Sequence, residues 1–129
     1  MKVKILLINC FLFFSIHCLS SQTIWTDETT LRGTIGNMEI AITLAVPFGG
    51  ATPCLVIGKY YYIKIGKYID LCSDSNDIII ERVNGNPTGY FIIKDWNKKI
   101  GQSVYGTWSS MDGRKRYPVT LKVVGKGLY

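Results

Sequence analysis

The chain has 129 residues, a formal charge of +6, four cysteines and one histidine. That length accommodates one small domain with a thin core, and so mild a charge argues against dedicated nucleic-acid binding. The lone histidine, His17, falls within an N-terminal leader, so histidine-dependent nucleophile triads and the usual zinc sites are excluded from the mature chain.

Residues 1–20, MKVKILLINCFLFFSIHCLS, read as a signal peptide. Lys2 and Lys4 supply a basic start, Ile5 to Ile16 an apolar centre, and Cys18 and Ser20 the small residues before a cut near Ser20 or Ser21. The apolar run is too short for a comfortable spanning helix, so the membrane is touched only through this segment, if it stays uncleaved. The expected location is secreted or periplasmic. Cleavage leaves about 108 residues. It also removes Cys10 and Cys18 and, with Lys2 and Lys4, lowers the charge to +4. Residues 21–30 are expected to be a flexible N-terminal segment and 31–129 a single β domain.

No helical periodicity is present; short β-rich runs alternate with turn signals. LRGTI leads through Gly36-Asn37, a primed turn with glycine first, into NMEIAITLAV. There Met38, Ile40, Ile42, Leu44 and Val46 share the core face of a half-buried strand. PFGGATP forms a loop, and LVIGKYYYIK with KYIDLC comes next as a hairpin turning at Ile65-Gly66. SDSND, NGNP, NKK and MDGRKR then separate DIIIERV, TGYFIIKDW, IGQSVYGTWSS and YPVTLKVV. The expected fold class is all-β. About eight antiparallel strands form an up-and-down meander closing into a small barrel or sandwich.

Four of the eight tyrosines crowd into GKYYYIKIGKYIDL. Strand alternation puts Tyr60 and Tyr62 on one face and Tyr61 on the other. Because Tyr61 shares its side with Ile57 and Ile63, that side reads as core, and Tyr60 and Tyr62 read as surface. Of the two cysteines left in an exported chain, Cys54 and Cys72, a disulfide is the default. A turn at Ile65-Gly66 sets Cys72 opposite Lys59, five residues and about 16 Å from Cys54. A bridge then requires the chain near Pro53 to fold back, or a different register.

The chemistry of enzymes is missing. GQSVYG carries Tyr105 where a nucleophile elbow requires glycine, and Pro87 disqualifies Asn86 as a glycosylation acceptor. Asp70, Asp74, Asp77 and Glu81 cluster around one turn and read as turn formers, so neither metal nor cofactor is expected. The Arg114-Lys115-Arg116 loop and Lys98-Lys99 belong to consecutive turns and therefore to opposite ends of a meander.

GKYYY at 58–62 and GTW at 106–108 resemble the glycine-aromatic hairpins of small exported bacterial β-meander proteins of unassigned function. GTW is also similar to the motif of the lipocalin and avidin barrels, where it lies in the opening strand. The expected function is a non-enzymatic exported binding module, recognising a protein partner in the envelope or outside the cell as an inhibitor or immunity factor would. Tyr60, Tyr62, Tyr68, Trp96 and Trp108 are its candidate contacts. The alternative is a small barrel carrying an apolar ligand, its interior lined by Tyr61, Phe91, Ile93 and Trp108.

Overall fold

The computed structural model describes residues 24–48, 53–73, 75 and 77–127, so the signal segment and its cleavage site lie outside the described residues. Eight strands succeed one another in chain order: β1 (Ile24–Ile35), β2 (Met38–Phe48), β3 (Val56–Tyr62), β4 (Ile69–Ser73), β5 (Ile78–Val83), β6 (Asn86–Ile93), β7 (Ser103–Ser110) and β8 (Arg116–Gly127). Each pairs antiparallel with the next, and β1 pairs back onto β8, closing the barrel. The all-β meander expected from the turn spacing is present, and of the two closures the barrel is adopted.

Closure rests on residues expected to be flexible. Residues 21–30 are expected as a flexible segment, and β1 begins within it, at Ile24. Its Thr29 pairs with Leu44 on one side and Lys126 on the other and is fully buried. Strand edges are costly when left open, and β1 removes both remaining edges at once.

Alternation decides what fills the centre. Leu31, Ile40, Ile42, Leu44, Val56, Tyr60, Leu71, Ile79, Phe91, Val104 and Leu121 point inward and form one continuous core. An eight-stranded barrel is just wide enough for side chains to fill it, and here they do. Burying each large aliphatic or aromatic side chain is worth about 1.5–3 kcal/mol. Strands this tightly coiled also need backbone approach: a Cβ on Gly33 would stand 1.9 Å from the Thr120 carbonyl oxygen, and one on Gly58 would stand 2.0 Å from that of Thr43.

The β3–β4 hairpin corrects two expectations. Its turn is centred before Ile65-Gly66, so Cys72 stands opposite Ile57 and Lys59 opposite Asp70. The register is shifted by two residues from the expected one, which brings Cys72 to within three residues of the Cys54 level, and the chain before β3 turns back to close the rest. Cys54 and Cys72 are disulfide-bonded with Cα atoms 5.4 Å apart, and the segment is also held by Leu55 N–H donating to the Ser73 carbonyl at 2.6 Å. The facing of the tyrosines is the reverse of that expected. Tyr60 is 1% exposed and lies in the core, whereas Tyr61 faces outward over Ala41 and against Tyr68.

The outer face misled because it is apolar too. Ile57, Cys72, Ile80 and Tyr90 stand opposite one another in a band across β3 to β6. Only Lys59, opposite Asp70, marks the outer face of YYY as solvent.

Candidate functional site

The turns sort the molecule into two ends. At one end lie the β1–β2, β3–β4, β5–β6 and β7–β8 connections; at the other lie the longer β6–β7 connection and both barrel termini. Two of the four turns at the first end are tight. Gly36 (φ 60°) heads a two-residue turn between paired Ile35 and Met38. Asn84 (φ 53°) and Gly85 (φ 80°) form another between Val83 and Asn86. Two positive φ values in succession are the mark of a type I′ hairpin, whose twist matches that of the strands.

With turns this short, inward-facing side chains finish the first end. Met38, Tyr62, Val83, Trp108 and Tyr117 all point toward the axis by strand parity, and all keep part of their surface in solvent. Tyr117 is stacked on Trp108, with centroids 6.0 Å apart and planes at 20°. Tyr62 meets Tyr60 edge-on at 5.7 Å, and Tyr60 meets Phe91 edge-on at 5.0 Å. Such offset and edge-to-face pairs contribute about 0.5–1.5 kcal/mol beyond area burial. Together they make a half-open aromatic mouth over a packed floor.

Within that mouth lies a carboxylate. Glu81 is 5% exposed. Its Oε1 accepts from the Tyr60 hydroxyl at 3.0 Å and from the Trp108 indole N–H, and its Oε2 accepts from the Thr88 hydroxyl at 3.0 Å. Thr88 reaches it because β6 bulges there: Glu81 pairs with Gly89 while Arg82 already pairs with Pro87. Gly89 supplies the room. A Cβ at that position would lie 2.6 Å from the Trp108 ring and 2.8 Å from Glu81 Oε1. Burial, then the neighbouring Glu81 charge, pushes the Tyr60 hydroxyl far above its ordinary 10.0. Burial also raises Tyr62, against a hydrogen bond with Tyr60 that lowers it. Both tyrosines therefore stay neutral donors across the physiological range.

The expected contact residues divide. Tyr62 and Trp108 come together in the mouth. Tyr68 is 61% exposed on the outer wall beside it, with Lys59 Nζ 4.7 Å from its ring centre. Tyr60 forms the floor and not the surface. Trp96, 5% exposed, belongs to the opposite end, where it packs into the core cluster. Of the expected carrier lining, Phe91 and Ile93 are fully buried and Trp108 faces inward, but Tyr61 faces outward.

Sequence reasoning missed Glu81, Met38 and Tyr117 as site residues. The signal for Glu81 was present: in DIIIERV, Ile79, Glu81 and Val83 share one face, which is the interior. The carboxylates grouped with it by sequence scatter in space. Asp70 faces outward opposite Lys59 and Arg82, Asp77 sits in the exposed β4–β5 turn, and Asp74 lies outside the described residues. Among the described residues, no three His, Cys, Asp or Glu side chains converge to hold a metal ion.

No protein-family model, curated protein or solved structure matches this chain.

Proposed function

We propose that this protein is an exported, non-enzymatic binding module that takes a side chain of a protein partner into its aromatic mouth. The observation that carries this reading is the Glu81 carboxylate beneath half-exposed Met38, Tyr62, Trp108 and Tyr117. Its described donors are neutral, and a carboxylate has about four acceptor sites, so Oε2 can accept a further hydrogen bond. A partner residue with an apolar stem and a donor head fits such a site, because the rings cover the stem and the carboxylate takes the head. Exposed Ile65, Tyr68 and Met111 border the same end and widen the apolar contact. The disulfide is compatible with an oxidising compartment, as a secreted or periplasmic location requires. The packed interior supports a binder over the alternative of an apolar-ligand carrier, which needs a lumen.

The test is capture from the host's envelope fraction with the mature domain and with a Met38→Ser/Tyr117→Ser variant. The expected result is one stoichiometric protein held by the native domain and lost with the variant. Lipid co-purifying without protein overturns the reading.

A further inference from the structure

We propose a second site at the opposite end of the barrel, independent of the mouth: a binding site for a tetrahedral oxyanion, phosphate or sulfate. Asn97, Lys98, Lys99, Ile100, Gln102 and Lys126 line a broad open depression of about 680 Å³ between the β6–β7 connection and the end of β8.

The polar groups of this depression are arranged as donors. Lys126 Nζ donates to Thr29 Oγ1 at 2.8 Å and to Asn97 Oδ1. Thr29 Oγ1 in turn donates to Asn97 Oδ1 at 3.0 Å. An ammonium can only donate, so the Asn97 oxygen must face Lys126, and its NH2 is left for a ligand. Gln102 is turned the same way, because its Oε1 accepts from the Lys99 backbone N–H at 2.9 Å. Lys98 Nζ gives one bond to the Ser103 carbonyl at 3.3 Å and has two hydrogens left. The Lys99 ammonium has no partner among the described residues. Among the described residues, the carboxylates of Glu28, paired with Gly127 on the adjoining strand, and of Asp95, at the start of the connection, do not line the depression.

Three ammonium groups and two carboxamide NH2 groups exceed what the two oxygens of a carboxylate can accept. They suit the three or four oxygens and double charge of phosphate or sulfate. The loop itself is fixed, with Gly101 N–H donating to the Val123 carbonyl at 2.8 Å and Val123 N–H to that of Gln102 at 3.0 Å. The backbone that carries these donors is thus set before an anion arrives. The other basic segment, Arg114 to Arg116, is a fully exposed hairpin tip with Asp112 beside Arg114. It lacks the convergent carboxamide donors of the depression.

The experiment is a titration of the mature domain with inorganic phosphate and with sulfate, read on the Asn97 and Gln102 side-chain NH2 resonances, with chloride at matched ionic strength as reference. The expected result is a saturable shift with Kd on the order of 1–10 mM for both dianions. Lys126→Met should abolish it. Because Lys126 also orients Asn97, Lys99→Ala is the second variant, and it should weaken binding about three- to fivefold, the worth of one exposed ion pair. A linear shift, a shift matched by chloride, or one unchanged in Lys99→Ala overturns the proposal. Met38→Ser/Tyr117→Ser should leave it intact, which separates this site from the mouth.

Discussion

The two ends of the barrel close by opposite means. At the Trp96 end a long connection folds over the opening: Asp95, at φ 55°, turns the chain, and Trp96 enters the core as a plug. At the Tyr62 end two of the four turns have only two residues, and inward side chains are left half in water around a carboxylate. A plug trades surface for stability. A mouth retains surface that a partner can bury. The same strands thus carry one end whose core is sealed by a plug and one end whose inward side chains stay open to a partner, and substitutions should separate the two.

The largest effect is expected at the plug. Trp96→Ala removes a nearly buried indole from the core and should cost about 3–5 kcal/mol, read as a fall in the urea midpoint at unchanged slope. The disulfide, which ties the 53–55 segment to β4 at this same end, ranks next. Cys54→Ser with Cys72→Ser reopens an 18-residue separation and should cost about 3 kcal/mol. If Trp96→Ala unfolds the chain no more readily than an exposed substitution, the contrast between the ends fails.

Glu81 tests the mouth's floor. Glu81→Ala leaves the Tyr60 hydroxyl and Trp108 N–H without their acceptor, and an orphaned buried donor costs about 1–3 kcal/mol. A loss of about 2–3 kcal/mol is expected, below that of the plug because Trp108 is partly solvated. Equilibrium unfolding in denaturant measures it.

The same network predicts how stability depends on pH. In the fold, burial and Glu81 hold Tyr60 protonated well above its ordinary 10.0, whereas the unfolded chain ionises there. The unfolded state therefore binds fewer protons above about pH 10, and stability falls as pH rises. Below that pH neither state loses the proton and this group contributes no slope. The expected decline is up to about 1.4 kcal/mol per pH unit for Tyr60, with a smaller share from half-exposed Tyr62. Tyr60→Phe should flatten the alkaline limb of a thermal-melt series. An unchanged limb would show that Tyr60 ionises without unfolding.

How much of the molecule was legible in the sequence depends on which signal each feature left. Eight strands and their order were legible, because Gly36-Asn37, Asn84-Gly85 and Asp112-Gly113 punctuate runs whose alternation is clear. The bridge could be named from two surviving cysteines, but its register could not. Ile65 N–H and Gly66 N–H both return to the Tyr62 carbonyl, at 3.0 and 2.9 Å, making a wider turn than an Ile-Gly pair implies. The tyrosine faces were illegible for a different reason. With Ile57, Ile80 and Tyr90 apolar on the outside and Val56, Tyr60 and Phe91 apolar within, period-two patterning marks both faces alike. Glu81 was hidden by its neighbours in sequence, since SDSND made it look like one more turn carboxylate. Its partners Tyr60, Thr88 and Trp108 arrive from three other strands, which the curl of the sheet brings together over Glu81.

The smallest stability effect should come with the largest effect on binding, and it is the sharpest form of the contrast. Met38 points along the same axis as Trp96 but at the open end, and 45% of its surface remains exposed. Met38→Ser therefore forfeits only part of a side-chain transfer energy and leaves no sealed cavity, so a loss of about 1 kcal/mol or less is expected. Partner capture should fall at the same time, because the removed side chain is one of those left half-exposed at the open mouth. Trp96 variants that still fold should show the reverse, reduced stability with capture intact. If Met38→Ser destabilises the domain as severely as Trp96→Ala, the open end is a second plug and the mouth has no surface left to offer.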